Sequence, residues 1–95
     1  MRYMDKPRIV NIVASGQFSQ PLDLEKLYVS LDVEEKVYDP EIYPALLVKV
    51  GKNRYHVTLY RNGKYIIAGV QSIKQLNDAH REILHKLRKI GALKK

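Results

Sequence analysis

Hydrophobic and polar residues alternate along this chain in two rhythms. Residues 54–60 switch at every step. Arg54, His56, Thr58 and Tyr60 fall on one side, and Tyr55, Val57 and Leu59 on the other. That is the two-residue period of a strand with one buried face. Further on the period lengthens: Ile73, Leu76, Ala79, Ile83, Leu84, Leu87 and Ile90 form the stripe of an amphipathic helix. Ser72 and Gln75 make a capping box at its start, and Gly91 stands at its stop. A shorter helix carries Leu24, Leu27, Tyr28 and Leu31 on one face, with Asp23 as N-cap and Leu22 placed to staple onto Leu27. Apolar runs at Ile9–Ala14, Ala45–Val50 and Tyr65–Val70 predict further strands, and a short one spans Lys36–Tyr38. Pro40 and Pro44 bracket a tight loop, and Gly51-Lys52-Asn53 reads as a turn. Asn62-Gly63 predicts a hairpin of type I′, a turn that needs positive φ twice.

The resulting order is β-α-β-β-β-β-α. It predicts an α+β domain over residues 7–93, with residues 1–6 as a flexible N-terminus. The architecture is a curved, antiparallel, five-stranded sheet with two helices on one face. The other face stays open. Alternation places Asn11, Val13, Leu47, Lys49, Thr58, Tyr60, Ile66 and Ala68 on it. A face meant only for water would be polar. This one is apolar at its centre and basic at its rim, as a nucleic-acid groove or a partner protein requires. A one-residue slip in any strand would invert that strand's assignment.

Charge sharpens the reading. The 95 residues hold 17 Lys and Arg against 10 Asp and Glu, a net +7 that points to an anionic partner. The charge is also segregated. Seven acids lie between Asp23 and Glu41, five bases and no acid between Lys49 and Lys64, and seven bases after Ser72. Two surfaces with different partners are implied. There is no cysteine, which excludes disulfides, thiolate metal sites and a thiol nucleophile. His80 and His85 are five apart, the wrong spacing for one helical metal face, and His80 reads as a packed residue beside the apolar stripe. No phosphate loop, nucleophile elbow or paired-carboxylate signature occurs, so neither an enzyme nor a cofactor is expected. No apolar run approaches a membrane span and no signal-peptide pattern opens the chain.

Four segments in order carry a resemblance. They are Pro7-Arg8-Ile9-Val10-Asn11-Ile12-Val13-Ala14, Leu22-Asp23-Leu24, Tyr38-Asp39-Pro40-Glu41-Ile42-Tyr43-Pro44 and Asn62-Gly63-Lys64-Tyr65-Ile66-Ile67-Ala68-Gly69. Over about Pro7 to Gly91 the chain resembles one repeat of the TATA-box-binding protein family. In that family two repeats form a saddle whose concave sheet lies on a bent minor groove. The resemblance implies that Asn11 reads minor-groove acceptors at the centre of the site. It implies that Val13, Thr58, Ile66 and Ala68 match concave positions that touch base edges; Leu47, placed on the open face by alternation, is counted with them among the DNA-binding residues. An apolar surface suits A·T pairs, which lack the guanine amino group in that groove. Tyr43 and Tyr60 stand where the family has two phenylalanines that wedge between base pairs, and Lys49, Arg54 and Lys64 stand where bases meet phosphates. Asp39 and Glu41 resemble the acidic stirrup that contacts transcription factor B.

This sequence departs from the family at both wedges, where each tyrosine hydroxyl needs a partner on burial. Thr58 and Ala68 also make the centre smaller and less apolar, and His56 has no place in the family's pattern. On the residues alone, Tyr43 and Tyr60 read as strand tyrosines and Asn11 as a cap or a bridge between strands. The first expectation is a homodimeric, A·T-rich minor-groove binder acting in transcription initiation or regulation. It would self-associate through its first strand, with double-stranded DNA as partner, in an archaeal cytoplasm at the nucleoid. The alternatives are an accessory module for single-stranded or hybrid nucleic acid, for which tyrosines are stacking platforms, and a protein-interaction module that has lost DNA binding.

Overall fold

The computed structural model describes residues 12–33, 35–51 and 55–93. Strand β1 (Ile12–Gln17) is followed by helix α1 (Leu24–Ser30), strands β2 (Glu35–Val37), β3 (Ala45–Val50), β4 (Tyr55–Tyr60) and β5 (Lys64–Val70), and helix α2 (Ile73–Lys89). The sheet is antiparallel throughout, in the order β1-β5-β4-β3-β2. This is the expected α+β layout, a five-stranded sheet with both helices on one side.

The core follows from the two rhythms. Leu46, Val48 and Val50 of β3, Tyr55, Val57 and Leu59 of β4, and Ile67 and Val70 of β5 are buried together with Leu24, Leu27 and Leu31 from the α1 segment and Ala79, Ile83 and Leu87 of α2. Burial of such side chains stabilises by roughly 1.5–3 kcal/mol each, and this face carries most of the fold. Asp23 caps α1 by accepting from the Lys26 N–H at 3.2 Å. Ser72 caps α2 by accepting from the Gln75 N–H at 3.1 Å. The Gln75 side chain reaches back one residue further than a standard capping box and accepts from the Gln71 N–H at 2.8 Å. Gly91, at φ 78°, ends the last turn.

The structure corrects the sequence reading in five places. Strand β1 runs on through Ser15, Gly16 and Gln17, because β5 offers partners as far as Lys64; residues 9–11 lie outside the described residues. Strand β2 is set one residue earlier than Lys36–Tyr38, and β5 begins one residue earlier than Tyr65. Ile73, counted in the apolar stripe of α2, is 63% exposed. The β4–β5 hairpin is not a two-residue type I′ turn. Leu59 opposes Tyr65, so the loop holds three residues, Arg61, Asn62 and Gly63, closed by Gly63 N–H donating to the Tyr60 carbonyl at 2.9 Å. A three-residue loop places one residue in the left-handed region, and here it is Gly63 at φ 95°.

Candidate nucleic-acid interface

The open face is built from the residues that alternate with the buried ones along each strand. Across the sheet, Glu35 of β2 opposes Lys49 of β3, Lys49 opposes His56 of β4, and His56 opposes Ala68 of β5. The next row is Val37, Leu47, Thr58, Ile66 and Ser15. Val13, on β1, is 68% exposed and lies where the pairing with β5 is irregular. Ile12 opposes Val70 and Ala14 opposes Ile67, so β5 carries one extra residue between them. Gly69 in this bulge has φ 83°, a conformation that favours glycine. All the concave positions read from alternation that fall on described residues therefore share one face: Val13, Leu47, Lys49, Thr58, Tyr60, Ile66 and Ala68. Asn11 and Arg54 lie outside the described residues.

Tyr43, in the β2–β3 loop, and Tyr60, at the end of β4, are brought together edge to face. Their ring centroids are 6.2 Å apart, and the two hydroxyls share a hydrogen bond. Each hydroxyl thus has the other as its partner. The bond to Tyr43 also pushes the Tyr60 phenol above the usual tyrosine range. The Lys64 ammonium stands 5.8 Å from the centre of the Tyr60 ring, within cation–π reach. Toward the start of β4, on its β3 side, the face dips into a shallow concavity of about 300 Å³ walled by Glu35, Val37, Leu47, Lys49, His56 and Thr58. Here Lys49 is ion-paired with Glu35 at 3.2 Å. A phosphate reaching Lys49 would have to replace that carboxylate.

Asp39 and Glu41 are exposed in the β2–β3 loop, whose turn is held by the Ile42 and Tyr43 N–H groups donating to the Asp39 carbonyl. A third acidic residue has a different role. Glu25 of α1 accepts from the Tyr38 hydroxyl at 2.6 Å and from both terminal nitrogens of Arg61. Arg61, one of the five bases of the basic hairpin, is thereby engaged by a carboxylate. The Arg61 and Tyr38 hydrogen bonds lower the Glu25 pKa from 4.5 to about 2. A depressed carboxylate stabilises the fold above its unfolded pKa, and the contribution disappears as pH falls through the folded one. The link from α1 to the β4–β5 loop should therefore weaken between pH 4.5 and about 2. Carboxyl-carbon NMR titration should show Glu25 titrating near 2, with the midpoint moving up toward 4.5 in Arg61→Leu combined with Tyr38→Phe. An unchanged midpoint in that variant contradicts the assignment.

On the covered side, His80 and the Tyr65 hydroxyl are 3.1 Å apart, and Phe18 stacks on Tyr65 at 4.6 Å. His80 is thus packed between α2 and the sheet. Gly16 lets the Tyr65 ring lie flat over β1, since a Cβ there would collide with it.

The sequence and the fold match known proteins. The family profile described as "Transcription factor TFIID (or TATA-binding protein, TBP)" matches residues 6–90. TATA-box-binding protein C of Halobacterium salinarum is 40% identical over 83 residues, 87% of this chain and 46% of that protein. The TATA-box-binding protein of Pyrodictium occultum is 32% identical over 89 residues, 94% of this chain and 44% of that protein. The solved structure of Methanococcus jannaschii TBP superposes with a TM-score of 0.77 at 27% identity, covering 88% of this chain and 47% of that one. The chain thus spans about half the length of these relatives. On the profile match and the shared fold, it belongs to the TATA-binding protein family.

Proposed function

We propose that this protein binds the minor groove of A·T-rich double-stranded DNA through its open sheet face, as a two-fold saddle of two copies, in transcription initiation or regulation. The observation that carries the reading is the open face itself. Val13, Leu47, Ile66 and Ala68 give it an apolar centre, and the Tyr43–Tyr60 pair stands at one end. Apolar side chains fit a groove that lacks the guanine amino group, and paired aromatic rings fit an opened base step. Among the described residues β1 has a single neighbour, β5. Its outer edge is an unpaired row of backbone groups, which a second β1 can complete. The exposed Asp39 and Glu41 are the proposed contact for transcription factor B. The matched relatives come from archaea, and this reading places the protein at an archaeal nucleoid. Among the described residues, no helix is long and apolar enough to cross a membrane.

The test is a gel shift against A·T-rich duplex, G·C-rich duplex and single strand over a salt series. Preference for A·T-rich duplex is expected, with a steep loss of affinity as salt rises. Charge reversal of Lys49, Arg54 and Lys64 together should lower the slope of log affinity on log salt by about 0.9 for each phosphate no longer neutralised, doubled in a dimer. Preference for single strand would favour the accessory-module alternative. Binding to none of the three would leave only a protein-interaction role.

A further inference from the structure

We propose that His56 is a specificity-determining residue, whose imidazole accommodates a G·C pair within an otherwise A·T-selective site. The inference rests on the minor-groove reading above. His56 is exposed on the open face of β4, the middle strand of the sheet. It lies between Lys49 on the rim side and Ala68 on the side of β1. The bulge decides which way the ring leans. A Cβ placed on Gly69 would come 2.9 Å from His56 Cδ2, so the ring lies against the bare backbone of β5. That puts the ring on the β5 side of the strand, next to Ala68 and the bulge. Among the described residues no group hydrogen-bonds to either of its ring nitrogens, whereas Nε2 of His80 meets the Tyr65 hydroxyl at 3.1 Å.

A neutral imidazole offers one donor and one acceptor. In the minor groove, A·T pairs show only the acceptors N3 and O2, and G·C adds the guanine N2 amino donor. Val13, Ile66 and Ala68 can accept nothing from that amino group, so a guanine beneath them loses its hydration without compensation. His56 can accept from it. The preferred site is therefore A·T-rich with one tolerated or favoured G·C pair under each His56, at two positions related by the two-fold.

The test is an inosine scan. Each G·C pair introduced into an A·T-rich duplex is compared with the inosine·C pair, which removes the N2 amino group and keeps the major-groove edge. At one position per half-site, the parent should bind the guanine duplex about fivefold more tightly than the inosine duplex, the worth of one hydrogen bond. His56→Val should bind the two equally or prefer inosine there, and should be unchanged elsewhere. His56→Gln, which keeps a donor and an acceptor, should retain part of the preference. Identical scans for parent and His56→Val overturn the proposal while A·T selectivity stands. A uniform loss across all sequences with a reduced salt slope makes His56 a phosphate contact and equally overturns it. Failure of the parent to bind any duplex removes the minor-groove reading and the proposal together.

Discussion

Replacing both Tyr43 and Tyr60 by alanine is expected to abolish DNA bending, read by energy transfer between the ends of a labelled duplex. A weak, salt-sensitive binding from the lysines and arginines should remain. The argument starts from the geometry of the pair. The rings meet edge to face at 6.2 Å and are joined through their hydroxyls, so under the proposed reading they would enter a base step as a unit. Opening a base step costs a few kcal/mol, which inserted side chains must offset. Two alanines supply neither the ring area nor the shape.

Phenylalanine at both positions has the opposite expectation. The two hydroxyls satisfy each other, and removing both partners of a hydrogen bond is close to neutral for the fold. On insertion it spares the desolvation of two polar atoms, so duplex binding should be preserved or strengthened. Phenylalanine at Tyr43 alone should bind less well than the double variant, because the remaining Tyr60 hydroxyl enters the stack unpaired. If the rings instead stack on unpaired bases, alanine at both should cost single-strand binding roughly 1–3 kcal/mol per ring, and the parent should not bend duplex. Bending that survives in the double alanine variant would contradict the wedge.

What the sequence shows and what it hides divide along the distance between partners. The alternation of β4 and the stripe of α2 are local, and both survive in the structure because each has a buried face to enforce its period. The open face was legible for the same reason: once Leu46, Val48 and Val50 are buried, Leu47 and Lys49 must point the other way. Strand limits were less legible. The end of β1 at Gln17 is set by its pairing with Lys64, which no local pattern announces. Likewise Asn62-Gly63 fits either a two-residue or a three-residue loop, and the register of Leu59 against Tyr65 selects the second. Pairings between distant residues were not legible at all. Glu25 meets Arg61 from another element, and Glu35 meets Lys49 across β2 and β3. Each looks like surface charge in the sequence. His56 was visible as a departure without a place. The positive φ of Gly69, a product of the bulge, gives it one.

Linking two copies of this chain through a long flexible linker is expected to raise affinity for a two-fold site by roughly 10²–10⁴, with no new interaction at the DNA. The physical basis is the edge of β1. Among the described residues it lacks a neighbour beyond β5, and the adjoining Val13 is 68% exposed. Such an edge is completed most cheaply by an identical strand in a two-fold arrangement, which also doubles the open face. If two separate copies must assemble, occupancy of the site depends on the square of protein concentration below the dimer's dissociation constant. Fusion converts that step into an intramolecular one, so occupancy becomes first order and the complex contains one fused chain per duplex. The parent should then sediment as a dimer at high micromolar concentration in low salt and place two copies on each site. A parent that remains monomeric there, binds with first-order dependence as one copy per site, and gains nothing from fusion would exclude the two-fold saddle. The open face of a single copy would then be the whole interface, and the edge of β1 would need another partner.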